Sequence, residues 1–230
     1  MNVSTNDLTA KQVDFFDHFL IDGTQKALHA LDSMFGLDID SSDSSIEIAP
    51  GDNSEFLQQL GSGSLYTVSS SMTGDLQGRI LLLLRAGDFR TLIKIMKPIL
   101  SLLLQPDDGD RENPPDKADF HKEMMDILSE MANILIGLYA KSIYKICDIT
   151  THYSVPKIEK DSDQQAIRQF LSASAKTGQP QLVIENEFYV TDKPVKLWFL
   201  IAPTPKSFAK ILRKIEQHAD FNGATLTMTH

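Results

Sequence analysis

Hydrophobic and polar positions follow two rhythms along this chain, and the rhythms recur in the same order twice. Over about 7–35, Phe16, Phe19, Gly23, Ala27, Ala30 and Met34 fall three or four residues apart, which predicts one apolar helix face. Gly36 follows as a stop. A polar stretch at 37–50 tolerates extended structure, and a short helical piece at 55–60 precedes Gly61 and Gly63. Strand-like segments at 64–72 and 76–84 flank Thr73, Gly74 and Asp75, which reads as a hairpin. An apolar helix from Asp88 toward Leu104 ends the set, with Pro98 expected to kink or restart it.

The second set repeats this order. A long helix is predicted over about 118–145, an extended segment over 148–158 and a short helix over 164–171. A second hairpin pairs 181–190 with 195–202 across Thr191, Asp192, Lys193 and Pro194. An amphipathic helix at 207–218 turns Phe208, Ile211, Leu212 and Ile215 inward. At an offset of 118, Leu84 falls on Ala202 and Gly74 on Asp192, whereas the first helices match near an offset of 112. A duplicated α-β-(α)-β-β-α unit explains this order. The expectation is a single domain over 1–230 made of two repeats, about 7–104 and 118–230, with an acidic, proline-rich linker at 105–117. The fold class is α+β: one shared, largely antiparallel sheet with long helices packed on it. Two unrelated small domains are the alternative.

Composition narrows the function classes. The 230 residues are 42% hydrophobic and 23% charged, which excludes a disordered chain. The single cysteine, Cys147, excludes an intrachain disulfide and a cysteine-rich zinc site. No basic segment followed by an apolar run opens the chain, and Arg85, Lys94 and Lys97 interrupt the most apolar stretches. These features predict a soluble, cytoplasmic protein without a membrane span. A net charge of −9 argues against nucleic acid and against anionic lipid. Lys206, Lys210, Arg213 and Lys214 then read as the solvated face of the last helix.

Familiar catalytic motifs are absent. There is no phosphate-cradling glycine loop and no G-x-S-x-G elbow. The six histidines lack metal-ligand spacing, so no metal is expected on this chain. What stands out lies on the second long helix. Asp126, Glu130 and Asn133 are spaced i, i+4, i+7 and share one face. Met124, Ile127, Leu128, Met131, Leu135 and Leu138 form the opposite side, and Gly137 and Ala140 continue the polar face with almost no relief. Gly137 costs a helix about 1 kcal/mol relative to alanine, so local stability does not ask for it. Read from this segment alone, a merely solvated face explains the triplet.

Pro156 changes the balance, because it follows Asn133 with 22 residues between. The pattern D-x(3)-E-x(2)-N-x(22)-P resembles the signature of the CheC/CheX phosphatases of bacterial chemotaxis, with Asp126, Glu130, Asn133 and Pro156 in its four positions. At about 5% usage per residue type, such a match arises by chance on the order of once in a thousand chains. The duplicated unit resembles that family's internal repeat, and Gly74–Leu84 looks like its hairpin strand.

The resemblance implies a substrate: the aspartyl phosphate of a CheY-type response regulator, with Mg²⁺ held by that partner and no cofactor on this chain. It makes Glu130 and Asn133 catalytic. Asn133 would orient the attacking water and Glu130 would pair with the partner's active-site lysine. Asp126, Gly137 and Ala140 would meet the partner, and Pro156 would shape the backbone. In the first helix the corresponding positions are Asp14, His18 and Ile21, a degenerate first site, so a single working site is expected. Ile21, Leu28 and the run 99–104 suggest a homodimer surface, and the family also admits a CheD-like stimulating partner. A non-catalytic module that binds a regulator or scaffold is the main alternative, and a purely structural dimerisation domain the weaker one.

Overall fold

The computed structural model describes residues 8–36, 39–49, 54–103, 117–161, 164–177, 181–190 and 192–217. The first half runs α1 (Ala10–Phe35), β1 (Ile39–Ala49), α2 (Ser54–Leu60), β2 (Leu65–Gly74), β3 (Gly78–Arg85) and α3 (Ala86–Leu103). The second runs α4 (Lys117–Cys147), β4 (Thr151–Tyr153), β5 (Lys157–Asp161), α5 (Gln165–Thr177), β6 (Gln181–Val190), β7 (Lys193–Pro203) and α6 (Pro205–Gln217). The order is the same twice, with β4 and β5 together in the place of β1. The linker expected at 105–117 lies outside the described residues except for Lys117, and so do the side chains of Met34, Cys147 and 99–103.

Each half lends a strand to the other. The sheet order is β1-β6-β7-β3-β2-β4, with β5 also on β2, and every pairing is antiparallel. Thus β1 pairs with β6 of the second hairpin, and β4 and β5 pair with β2 of the first. The centre is β3 on β7, where Leu81 faces Leu200 and Leu83 faces Trp198. A strand covered on both faces needs apolar side chains at successive positions. That requirement explains the run 80–84: Ile80, Leu82 and Leu84 enter the core beneath the long helices, and Leu81 and Leu83 enter the opposite one.

The two faces carry different layers. Helices α1, α3, α4 and α6 cover one, through Phe15, Phe16, Phe19, Phe89, Leu128, Leu135, Phe208 and Ile211. The short α2 and α5 cover the other, with Phe56, Leu60, Ile167 and Phe170 around Trp198. Helix α1 starts in a capping box between Thr9 and Gln12 and stops at Gly36 (φ 59°), whose N–H donates to the Asp32 carbonyl. Helix α3 continues through Pro98 without a break, contrary to the expected restart. Phe89 and Leu92 hold its first turns in the core, so one missing donor does not end it. The second hairpin turns more tightly than expected: Val190 pairs with Lys193, and Asp192 takes a left-handed conformation (φ 62°).

Helices α1 and α4 lie against each other. A Cβ on Gly23 would stand 2.5 Å from the buried ring of Tyr139, so this glycine lets the helices close. The ring also meets Phe19 at 5.6 Å and Phe199 at 4.8 Å. Its hydroxyl lies in a buried polar trio: Thr24 Oγ1 donates to Asn186 Oδ1 at 2.9 Å, and Tyr139 Oη donates to the same oxygen at 3.4 Å. α1, α4 and β6 are joined there.

Two predictions follow from this contact. Gly23→Ala gains helix propensity but overfills a buried contact, and should lower unfolding free energy by about 1–2 kcal/mol in urea titration. Burial pushes the Tyr139 hydroxyl pKa up, so the fold holds the neutral form while the unfolded chain ionises near the ordinary value of about 10. Its contribution is therefore present below about pH 10 and is lost as pH rises further. Tyr139→Phe should cost about 1 kcal/mol at neutral pH, and that deficit should shrink in titrations at about pH 10.5.

Candidate functional site on the second long helix

The buried side of α4 is continuous: Leu128, Ala132, Leu135, Ile136 and Tyr139 are all within about 1% of full burial. Seating this side on the sheet and on α1 fixes what points outward. Lys122, Asp126 and Glu130 are exposed, and Asn133 is half-buried. Among the described residues, no intrachain hydrogen bond or ion pair engages Asp126, Glu130 or Asn133. The two carboxylates and the amide thus stand on a rigid helix with their hydrogen-bonding groups unspent. Such an arrangement can recognise a cation and orient a small hydrogen-bonding molecule on an incoming surface.

The far end of this face differs from expectation. Ala140 is buried, and the exposed strip passes instead from Gly137 to Lys141 and Tyr144. Gly137 is not open either. A Cβ there would meet the Tyr153 hydroxyl at 2.7 Å, so the β4 tyrosine lies over the glycine. The flat surface expected from Gly137 and Ala140 is therefore filled from within the chain. An incoming partner would meet Tyr153 at that point. Leu28 is likewise not outward, since it packs against the main core, whereas Ile21 is 55% exposed.

Pro156 sits between β4 and β5. Met72 faces Tyr153 and Ser69 faces Lys157, so Ser70 and Ser71 stand opposite three residues, Ser154, Val155 and Pro156. This is a one-residue bulge in an edge strand, where a residue without an N–H is tolerated. The bulge is held from β2. Ser70 Oγ donates to the Ser154 carbonyl at 2.8 Å, the Ser71 N–H donates to Ser154 Oγ at 3.1 Å, and the Ser154 N–H donates to the Ser71 carbonyl.

The first-half counterpart is built differently. His18 Nδ1 lies 2.8 Å from the Asp14 carbonyl oxygen and 3.5 Å from the Asp14 carboxylate, so this pair is spent within its own helix turn. Ile21 occupies the place of Asn133. Elsewhere, a cleft of about 200 Å³ lies between Gly74, Asp75, Gln77, Lys206, Lys210 and Arg213. Lys210 is ion-paired with Asp75 there, and its hydrogen bond holds the Asp75 carboxyl below its usual range. Among the described residues, no three histidine, cysteine or carboxylate side chains converge in a way that could hold a metal, and no helix is long and apolar enough to cross a membrane.

No protein-family model matches the sequence, and no curated protein matches it significantly. Solved structures do match the fold. FliY of Thermotoga maritima superposes with a TM-score of 0.62 at 20% identity, covering 91% of this chain and 98% of its own. A chain of the FliG–FliM complex from H. pylori superposes at 0.57 with 12% identity, covering 90% and 100%. The chain has the CheC/CheX-like fold. A chain of the CheX–CheY–BeF₃–Mg²⁺ complex of Borrelia burgdorferi aligns at 0.48 with 16% identity, covering 84% and 99%. At these identities the likeness to FliY and to the FliG–FliM chain is one of fold.

Sequence reading missed Tyr153 as a member of this face. The available signal was Pro156, since a proline inside a strand-like run marks an edge or a bulge. Because Tyr153 is partly exposed and can swing aside, Gly137→Ala should behave unlike Gly23→Ala. Its urea-unfolding free energy should rise by about 0.5 kcal/mol from helix propensity. A loss of more than about 1 kcal/mol would mean that Tyr153 cannot yield.

Proposed function

We propose that the chain is a phosphatase acting on the aspartyl phosphate of a CheY-type response regulator, working through the exposed face of α4. The observation that carries this reading is the state of Glu130 and Asn133. They fill the two central positions of the CheC/CheX-like motif and stand unpaired among the described residues on a helix fixed from below. Asp14 and His18, by contrast, are engaged with each other.

The chemistry asked of these residues is modest. Phosphoryl transfer passes through a loose transition state, so positioning outweighs strong base catalysis. The attacking water forms a bond to phosphorus as the bond to the aspartyl oxygen breaks. The carboxylate is regenerated, and the phosphate leaves with the water's oxygen and both of its protons, as H₂PO₄⁻. The Asn133 amide can accept from or donate to that water without the repulsion a carboxylate would bring to phosphoryl oxygens. Glu130 pairs with a cationic side chain of the partner and sets the register of docking. Asp126 lies one turn earlier, at the periphery. The Mg²⁺ belongs to the regulator, in the same cytoplasmic setting.

A second reading has its own support. The superposed FliM structure is part of a complex with FliG, so the same fold serves as a binding module there. In that case this face docks a regulator or a scaffold without hydrolysis. The decay of a phosphorylated CheY-type receiver separates the two. The phosphatase reading predicts faster decay with this protein present. Asn133→Ala should cut the saturated rate by about 100-fold or more, with little change in binding. Glu130→Ala should weaken binding by at least about tenfold and reduce its dependence on salt. Binding without any acceleration would establish the docking module instead.

A further inference from the structure

We infer that Val155, carried on the bulge between β4 and β5, is the apolar anchor by which this face docks the receiver domain. This rests on the function proposed above and adds to it the part of the surface that supplies affinity. Val155 is 82% exposed, the most exposed of the described large hydrophobic residues. An isolated exposed valine is ordinary on a protein surface. Three features set this one apart.

The first is its level along α4. The helix turns back through 148–150 into β4, so the strand runs opposite to the helix, and Tyr153 lies over Gly137. Two residues further along an extended strand is about 6.6 Å. Four residues back along a helix is about 6 Å. Val155 therefore falls within about one helix turn of the level of Asn133, on the bulge that follows β4.

The second is that the bulge is built. Buried Ser70 bonds the Ser154 carbonyl, and the backbone of Ser71 pairs with Ser154 in both directions. Bulges re-aim side chains, and they also protect sheet edges. Edge protection explains Pro156, which withholds a donor, and the exposed Lys157 and Lys160 beside it. It does not explain a valine, which makes an edge more adhesive.

The third is an internal control. β1 carries a register shift between Ser41 and Asp43, which leaves Ser42 as its extra residue. At the long helices' offset of 112, Ser42 matches Ser154 and Asp43 matches Val155. Both halves thus carry a one-residue bulge at about the same place in the repeat. At the position of Val155 the half with His18 and Ile21 in the site positions has Asp43, and the half with Glu130 and Asn133 has valine. A valine wanted for packing within the chain would not be left in solvent. One wanted for a partner would appear where the rest of the partner-facing set is kept.

The test uses the full chain and a CheY-type receiver domain loaded with beryllofluoride and Mg²⁺, with affinity measured by calorimetry. Decay of the phosphorylated receiver is followed in parallel. Val155→Ser should weaken binding about tenfold, the loss expected for a buried anchor, and leave the saturated decay rate unchanged. Val13→Ser, at an exposed valine on α1, should leave both unchanged. Equal affinity for Val155→Ser and the parent would overturn the inference. So would a lower saturated rate at unchanged affinity. If the parent binds no receiver, the proposed function falls and this inference falls with it. If the parent binds without accelerating decay, the phosphatase reading alone falls, and the Val155 affinity still decides this one.

Discussion

The Tyr139 ring against Gly23 is the contact on which the arrangement of this molecule turns. It sets how close the two long helices come, and the Thr24–Tyr139–Asn186 trio ties both to β6 at the same point. β6 in turn pairs with β1 of the other half, so the helix contact and the strand exchange brace each other. Polar groups buried at a crossing are costly unless every one is paired. Here each hydroxyl has the Asn186 oxygen within reach, so the trio specifies one alignment rather than permitting several. The outward face of α4 inherits its direction from that alignment.

The recurring element order gives two such faces, and the two are built differently. In the first, Asp14 turns to His18, and Ile21 cannot orient water. In the second, Asp126, Glu130 and Asn133 stay clear of intrachain partners among the described residues. The covering of Gly137 by Tyr153 shows a different use of a missing side chain from the one read in the sequence. The glycine admits the tyrosine of a neighbouring strand. The face is thus composed by two elements, a helix that carries the polar triplet and an edge strand whose Tyr153 covers Gly137.

Much of this was legible residue by residue. The helical spacing in α1 and α4, Gly36 as a stop and the paired hairpins are local signals, and local signals survive into the fold. The run 80–84 and its partner in β7 marked central strands because burial on both faces leaves no room for alternation. The motif on α4 was legible because helix periodicity alone puts residues 126, 130 and 133 on one side. Ala140 was misplaced for the same reason in reverse. A single helix cannot reveal where a neighbour covers it, and burial at Ala140 and Gly137 is decided by tertiary contacts. The bulge was hidden because two against one is a statement about β2 as much as about 154–156. Asn186 gave no signal at all, since its partners are 162 and 47 residues away.

The central claim is that the second-half face, α4 with its bordering strand, is where the partner sits. Hydrogen exchange on the full chain, with and without a beryllofluoride-loaded CheY-type receiver, tests this most directly. The account predicts added protection over the Asn133 region of α4 and over 151–161, with none over residues 14–21 of α1. Protection confined to α1, or to the cleft beside Lys206 and Arg213, would contradict it.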